Sequence, residues 1–174
     1  MGGDGSLFCF FNIIISGRVD KIYIFAYMEE SREELYMRQA LIEARKAFDE
    51  GEIPVGAVVV CRDRIIGRGH NLTETLRDVT AHAEMQALTA ACNYLGGKYL
   101  NDCELYVTVE PCVMCAGAIG WSQLGALVYG ASDEKRGYAC LAPRCLHPRT
   151  RVVKGVLEVE CSGLMKSFFA LLRK

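Results

Sequence analysis

The chain has 174 residues, 51% of them hydrophobic and 24% charged, with a formal net charge of −1. This is the make-up of one globular domain with a sizeable core, and it argues against repeats, low-complexity tracts and bulk affinity for nucleic acid. The charge is lopsided, however: residues 135–174 hold nine Lys/Arg against two acids, and residues 1–134 hold eleven against nineteen. A basic C-terminal quarter suits phosphate tracking, and equally a solvated tail.

Residues 7–15 are apolar but too few to span a bilayer, which takes about 20 residues in a helix. The first charge is Asp4, so the start lacks the basic stretch of a signal peptide. Met1-Gly2 through Ser6 fits the short N-myristoylation pattern. Met28 is a natural start, and residues 1–27 are expected to be a dispensable, disordered extension ahead of a domain over 28–174.

Ser31-Arg32-Glu33-Glu34 is a capping box, and Met37, Leu41, Ala44 and Phe48 follow at helical spacing, predicting a helix over 31–50. Gly51 to Pro54 ends it. Residues 55–60 form a β-branched run that turns at Arg62-Asp63 and returns over 65–70 as an antiparallel hairpin closed by Asn71. Residues 72–79 read as a polar loop, with Thr80 as N-cap of a helix over 82–95 that Gly96-Gly97 stops. Residues 105–109 form a strand apolar throughout, a helix runs from Pro111 to Trp121, and residues 124–129 form the next strand. Strand, helix, strand at this spacing is a right-handed parallel unit. A short strand within 152–159 and a C-terminal helix marked by Leu164, Phe168 and Leu172 complete a three-layer α-β-α domain on a mixed five-stranded sheet.

Pro111-Cys112-Val113-Met114-Cys115 concentrates the chemistry. Two thiols three residues apart share one side of a helix's first turn, where the positive helix end favours thiolate, the metal-binding form. Proline suits the first helical position. A third ligand is expected at His82, in His82-Ala83-Glu84. Zinc suits two thiolates and an imidazole with one position left for water. Two thiolates cancel the metal's charge, so a general base should assist, and Glu84 is the candidate. His82 and Glu84 serve one site only if it lies off a helix N-terminus. Nine cysteines without the density of a secreted scaffold indicate a reducing cytoplasm, with Cys61, Cys92, Cys103 and Cys161 as buried fillers. A competing arrangement is a structural zinc knuckle pairing Cys112 and Cys115 with Cys140 and Cys145, in a non-catalytic RNA-binding module. His70 and His147 are weaker ligand candidates.

H-x-E with P-C-x-x-C matches the signature of zinc nucleobase deaminases. Beyond it, residues 53–58 (Ile-Pro-Val-Gly-Ala-Val), Gly69-His70-Asn71, residues 110–119 and Tyr129 through Gly137, with Glu160-Cys161 and Phe168-Phe169, resemble the bacterial-type tRNA-specific adenosine deaminases of the cytidine deaminase-like superfamily. The resemblance runs from about Glu34 to Leu172. It implies hydrolytic conversion of the wobble adenosine (position 34) to inosine. It implies one zinc at His82, Cys112 and Cys115, with Glu84 as proton shuttle. It further implies a homodimer, a target base met by Asn71 and Ala83, and flanking nucleotides met near Asp133. Asparagine's paired donor and acceptor suit an adenine edge. Arg136, Arg144, Arg149, Arg151 and Lys154 become candidate phosphate contacts, and His147 a stacking residue. Gly120-Trp121-Ser122-Gln123 resembles guanine deaminases, so guanine or another free nucleobase or nucleoside is the alternative substrate.

Overall fold

The structure, a computed structural model, describes residues 10–15, 18–23 and 30–173, which fall into two units, one ending at Glu30 and one beginning at Ser31. In the first, strands β1 (Phe10–Ile15) and β2 (Arg18–Tyr23) pair antiparallel, Phe10 opposite Tyr23. Sequence reading assigned this stretch no element. The myristoylation pattern at Gly2 and the start at Met28 lie outside the described residues.

The second unit opens with α1 (Arg32–Asp49), held by the expected capping box: the Ser31 hydroxyl accepts from Glu34 N, and Ser31 N donates to the Glu34 carboxylate at 2.9 Å. Strands β3 (Gly56–Cys61) and β4 (Arg64–His70) form the hairpin, and one turn of helix, α2 (Thr73–Leu76), interrupts the polar loop after it. Then come α3 (Ala83–Leu95), β5 (Cys103–Val109), α4 (Val113–Trp121), β6 (Ala126–Ala131), the short α5 (Tyr138–Leu141), β7 (Arg151–Lys154) and α6 (Glu158–Leu172). The sheet order is β4-β3-β5-β6-β7, with β5, β6 and β7 parallel and the first two pairings antiparallel. This is the mixed five-stranded sheet the patterning predicts.

Alternation along the strands builds a core on each face. Val59, Leu105, Val107 and Leu127 point to one side and pack with Ala87, Leu88 and Ala91 of α3 and Ala116 and Ile119 of α4. Val58, Val60, Tyr106 and Val128 point to the other, against Met37 and Ala40 of α1 and Cys161 of α6. No helix among the described residues is long and apolar enough to cross a membrane.

Two helix starts differ from expectation. The cap of α3 is His82, because the Thr80 hydroxyl is spent on Asp78 Oδ1 at 2.7 Å. The cap of α4 is Cys112, which places Pro111 outside the helix. Two glycines of β4 set how closely α3 lies: a Cβ on Gly69 would run into Ala83 O, and one on Gly67 into Ala87 O. Gly69→Ala should therefore lift the start of α3 off the sheet and cost about 1–3 kcal/mol, read as a lowered urea midpoint at unchanged slope.

Candidate active site

The site lies where β5 and β6 end. The chain leaves β5 at Val109 and reaches the cap of α4 within three residues, and the start of α3, in the same helix layer, faces the same point. Open α/β sheets place ligands at this edge. Here it gathers His82, Cys112 and Cys115, whose ligand atoms all lie within 4.8 Å of one another. His82 Nδ1 is 3.5 Å from Cys115 Sγ and 3.7 Å from Cys112 Sγ. Cys115 is fully buried, while His82 and Cys112 keep partial exposure toward a cavity of about 670 Å³.

The three side chains perturb one another strongly. A hydrogen bond from Cys115, reinforced by His82, pulls the Cys112 thiol down to about 4. Cys115 is pushed up, first by that same bond and then by burial. His82 is raised by its bond to Cys112. Glu84, in the first turn of α3, is 3% exposed, and burial pushes its carboxyl above the usual carboxylate range. Its Oε2 is buried with no hydrogen-bond partner. An orphaned carboxylate oxygen beside one imidazole and two thiols fits a zinc site with an acid–base partner. The four-cysteine knuckle does not form: Cys140 is exposed, and His82, Cys112 and Cys115 are the metal-ligating group found among the described residues. His70 is engaged with Glu50 at 3.1 Å.

Asn71 and Asp133 line the same cavity, as does Arg136. The expectation that Asn71 offers both donor and acceptor is revised. Its Nδ2 donates to Glu52 Oε2 and to Thr73 Oγ1, each at 3.0 Å, so both amide hydrogens are taken. Asp133 Oδ1 accepts from Lys135 N and Arg136 N at 3.0 Å, which shapes its loop. Ala83 is fully buried at the start of α3.

The remaining candidates lie elsewhere. His147 lines a second cavity, between α3 and α4, and its Nδ1 accepts from Arg149 N at 3.3 Å. Arg149 is exposed. Arg151 opens β7 opposite Ala126, and its guanidinium reaches Glu104 at 3.5 Å. Because β5, β6 and β7 run parallel, Arg151 sits at the amino edge of the sheet, opposite the metal-ligating group. Sequence reading missed Glu52 and Glu110, and the cavity face of α6. Glu110 clasps the loop after β6, accepting from Asp133 N at 3.1 Å and Ala139 N at 3.0 Å. Met165, Phe169 and Arg173 line the cavity at four-residue intervals, a helical stripe that was visible in the sequence.

Residues 30–131 match the cytidine and deoxycytidylate deaminase zinc-binding region, and the chain belongs to this zinc-binding deaminase family. Within it, the chain is similar to the tRNA-specific adenosine deaminase of Bacillus subtilis, with 46% identity over 149 residues, covering 83% of this chain and 92% of the relative. A structure from studies of A-to-I editing by tRNA:A34 deaminases superposes with a TM-score of 0.70 at 42% identity, covering 75% of this chain and 98% of that one. A guanine deaminase from Nitrosomonas europaea superposes with a TM-score of 0.68 at 29% identity, covering 79% and 84%.

Zinc analysis of the purified protein should give about one ion per chain, and Cys115→Ala should reduce it at least tenfold, since two remaining protein ligands hold zinc poorly.

Proposed function

We propose that this chain is a zinc-dependent hydrolase that deaminates adenosine to inosine at the wobble position of tRNA, with Glu84 as its proton carrier. The supporting observation is the Glu84 carboxyl, buried beside His82, Cys112 and Cys115 with one oxygen unpartnered. The substrate is supported by 46% identity to a tRNA-specific adenosine deaminase over 83% of this chain, against 29% over 79% and 37% over 67% for two guanine deaminases.

His82, Cys112 and Cys115 would hold zinc, which would supply a Lewis acid; with two thiolates cancelling its charge, the activation of water would also need Glu84 as base. The protein's part is proton movement and positioning. Glu84 accepts one proton of the attacking water and passes it to the ring nitrogen, then takes the second from the hydroxyl that has added to the carbon and passes it to the amino group, which leaves as ammonia. Burial raises its pKa, so the carboxyl can pass through both protonation states. Asn71 orients the base, and Met165 and Phe169 give the cavity an apolar wall. Lys135, Arg136 and Arg173, at the same cavity, are placed for phosphates flanking the target. An anticodon loop offers unstacked bases, so little unpairing energy is needed.

We also infer that the chain pairs with a second copy through the face of α3 and α4. Trp121 is 86% exposed there, beside a cavity of about 920 Å³ lined by Met85, Leu88 and Leu146. Large exposed apolar surface marks an interaction site. The eight cysteines of the described residues are free, which supports a cytoplasmic location. Residues 1–27 remain, on this reading, dispensable for the reaction.

Glu84→Gln should keep its zinc and lose turnover at least 100-fold, measured as inosine formed on an anticodon stem-loop with adenosine at the wobble position. Wild type should release ammonia from that RNA and not from free guanine; the reverse would replace the substrate. Trp121→Glu should convert a dimer to a monomer in sedimentation velocity.

A further inference from the structure

We propose that Glu52 is a positioning residue that orients the Asn71 amide, so that Asn71 meets the substrate only as a hydrogen-bond acceptor. The proposal rests on reading the cavity as an adenosine site.

Glu52 lies between α1 and β3 and is 1% exposed. Its carboxylate accepts four hydrogen bonds. Thr75 N gives one to Oε1 at 2.7 Å, while Oε2 takes Asn71 Nδ2 at 3.0 Å, Glu74 N at 3.2 Å and Thr73 Oγ1 at 3.3 Å. A carboxylate so surrounded stays ionised and can only accept. The group of Asn71 facing it must therefore be the NH₂, because a turned amide would set oxygen against oxygen in a buried place. The second amide hydrogen is held by Thr73 Oγ1 at 3.0 Å. With both hydrogens fixed, the carbonyl oxygen is what Asn71 has left for the cavity that it lines with His82, Glu84 and Cys112. The substrate must then bring a donor: the exocyclic amino group of the target adenine or its ribose 2′-hydroxyl.

Glu52→Gln replaces one acceptor by a donor at nearly constant shape. When the oxygen of the introduced amide stays on Thr75 N, its NH₂ faces Asn71, which turns to bond it and presents a donor to the substrate. Adding Asn71→Asp restores the pattern, since one carboxylate oxygen accepts from the introduced amide and the other faces the cavity as an acceptor. In the wild-type background Asn71→Asp sets two carboxylates against each other.

The experiment measures kcat/KM for inosine formation on the anticodon stem-loop, with zinc content and thermal unfolding recorded for each protein. Glu52→Gln should lose about 10–100-fold, as expected for one misdirected hydrogen bond. Asn71→Asp should lose at least as much, and the double variant E52Q/N71D should recover at least about tenfold over Asn71→Asp. A double variant no better than Asn71→Asp, with zinc and unfolding temperature intact, overturns the proposal, as does a loss in Glu52→Gln that merely tracks lost folded protein. A 2′-deoxyadenosine target assigns the donor. A loss confined to wild type and the double variant supports the ribose hydroxyl; unchanged ratios support the amino group. Hydrogen exchange of the Asn71 side-chain amide separates this proposal from the substrate reading. Protection in wild type that disappears in Glu52→Gln supports the orientation even where no inosine forms, and an unprotected wild-type amide refutes it.

Discussion

Everything at this site depends on two helix starts converging on one edge of a sheet. His82 caps α3 and Cys112 caps α4, so both side chains leave their helices at the end where backbone N–H groups point outward. Anionic sulfur is favoured there, and a third ligand, Cys115, comes from the same first turn. The convergence has a packing cause. Gly67 and Gly69 let the backbone of α3 approach β4 more closely than any side chain would allow, and the parallel step from β5 to β6 carries α4 across the same face. His82 and Glu84, two residues apart, would diverge in mid-helix; at a helix start they address one place.

Around that centre, two buried carboxylates organise backbone. Glu52 gathers the segment 71–75, and Glu110 gathers the loop 133–139. Each is ordered mainly by N–H donors rather than by a cation, so each fixes chain geometry directly. Gly137 is the counterpart of Glu110, for a Cβ at that position would run into its carboxylate. The walls of the cavity are thus held by Glu52 from behind and by Glu110 from within its lining, while Glu84, also in the lining, keeps one oxygen unpartnered. A carboxylate that is fully satisfied is fixed in charge. One left unsatisfied in a buried place is poised to change protonation state.

Much of this was legible in the sequence, for identifiable reasons. Metal ligation demands particular residue types at particular spacings, so His82-x-Glu84 and Cys112-x-x-Cys115 could be read directly. Hydrophobic period gave α1, the hairpin and the parallel unit. The helix caps were misread because Thr80 has a competing local acceptor in Asp78, and because Pro111 precedes a cap supplied by a cysteine. Arg151 reads as a basic residue near other basic residues. Only the strand order shows that it opens β7 at the amino edge, beside Glu104. Glu52 was invisible as an organiser because its partners lie 19 to 23 residues away, across a hairpin whose register had to be known first.

The central claim is that one imidazole and two thiolates hold the metal and leave a position open. X-ray absorption at the zinc edge of the loaded protein tests this most directly. The account predicts two sulfur ligands at about 2.3 Å, one imidazole nitrogen at about 2.0 Å and one oxygen from solvent, the last exchanged by a competing anion. A third sulfur or a second imidazole, closing the coordination sphere with protein alone, would contradict it.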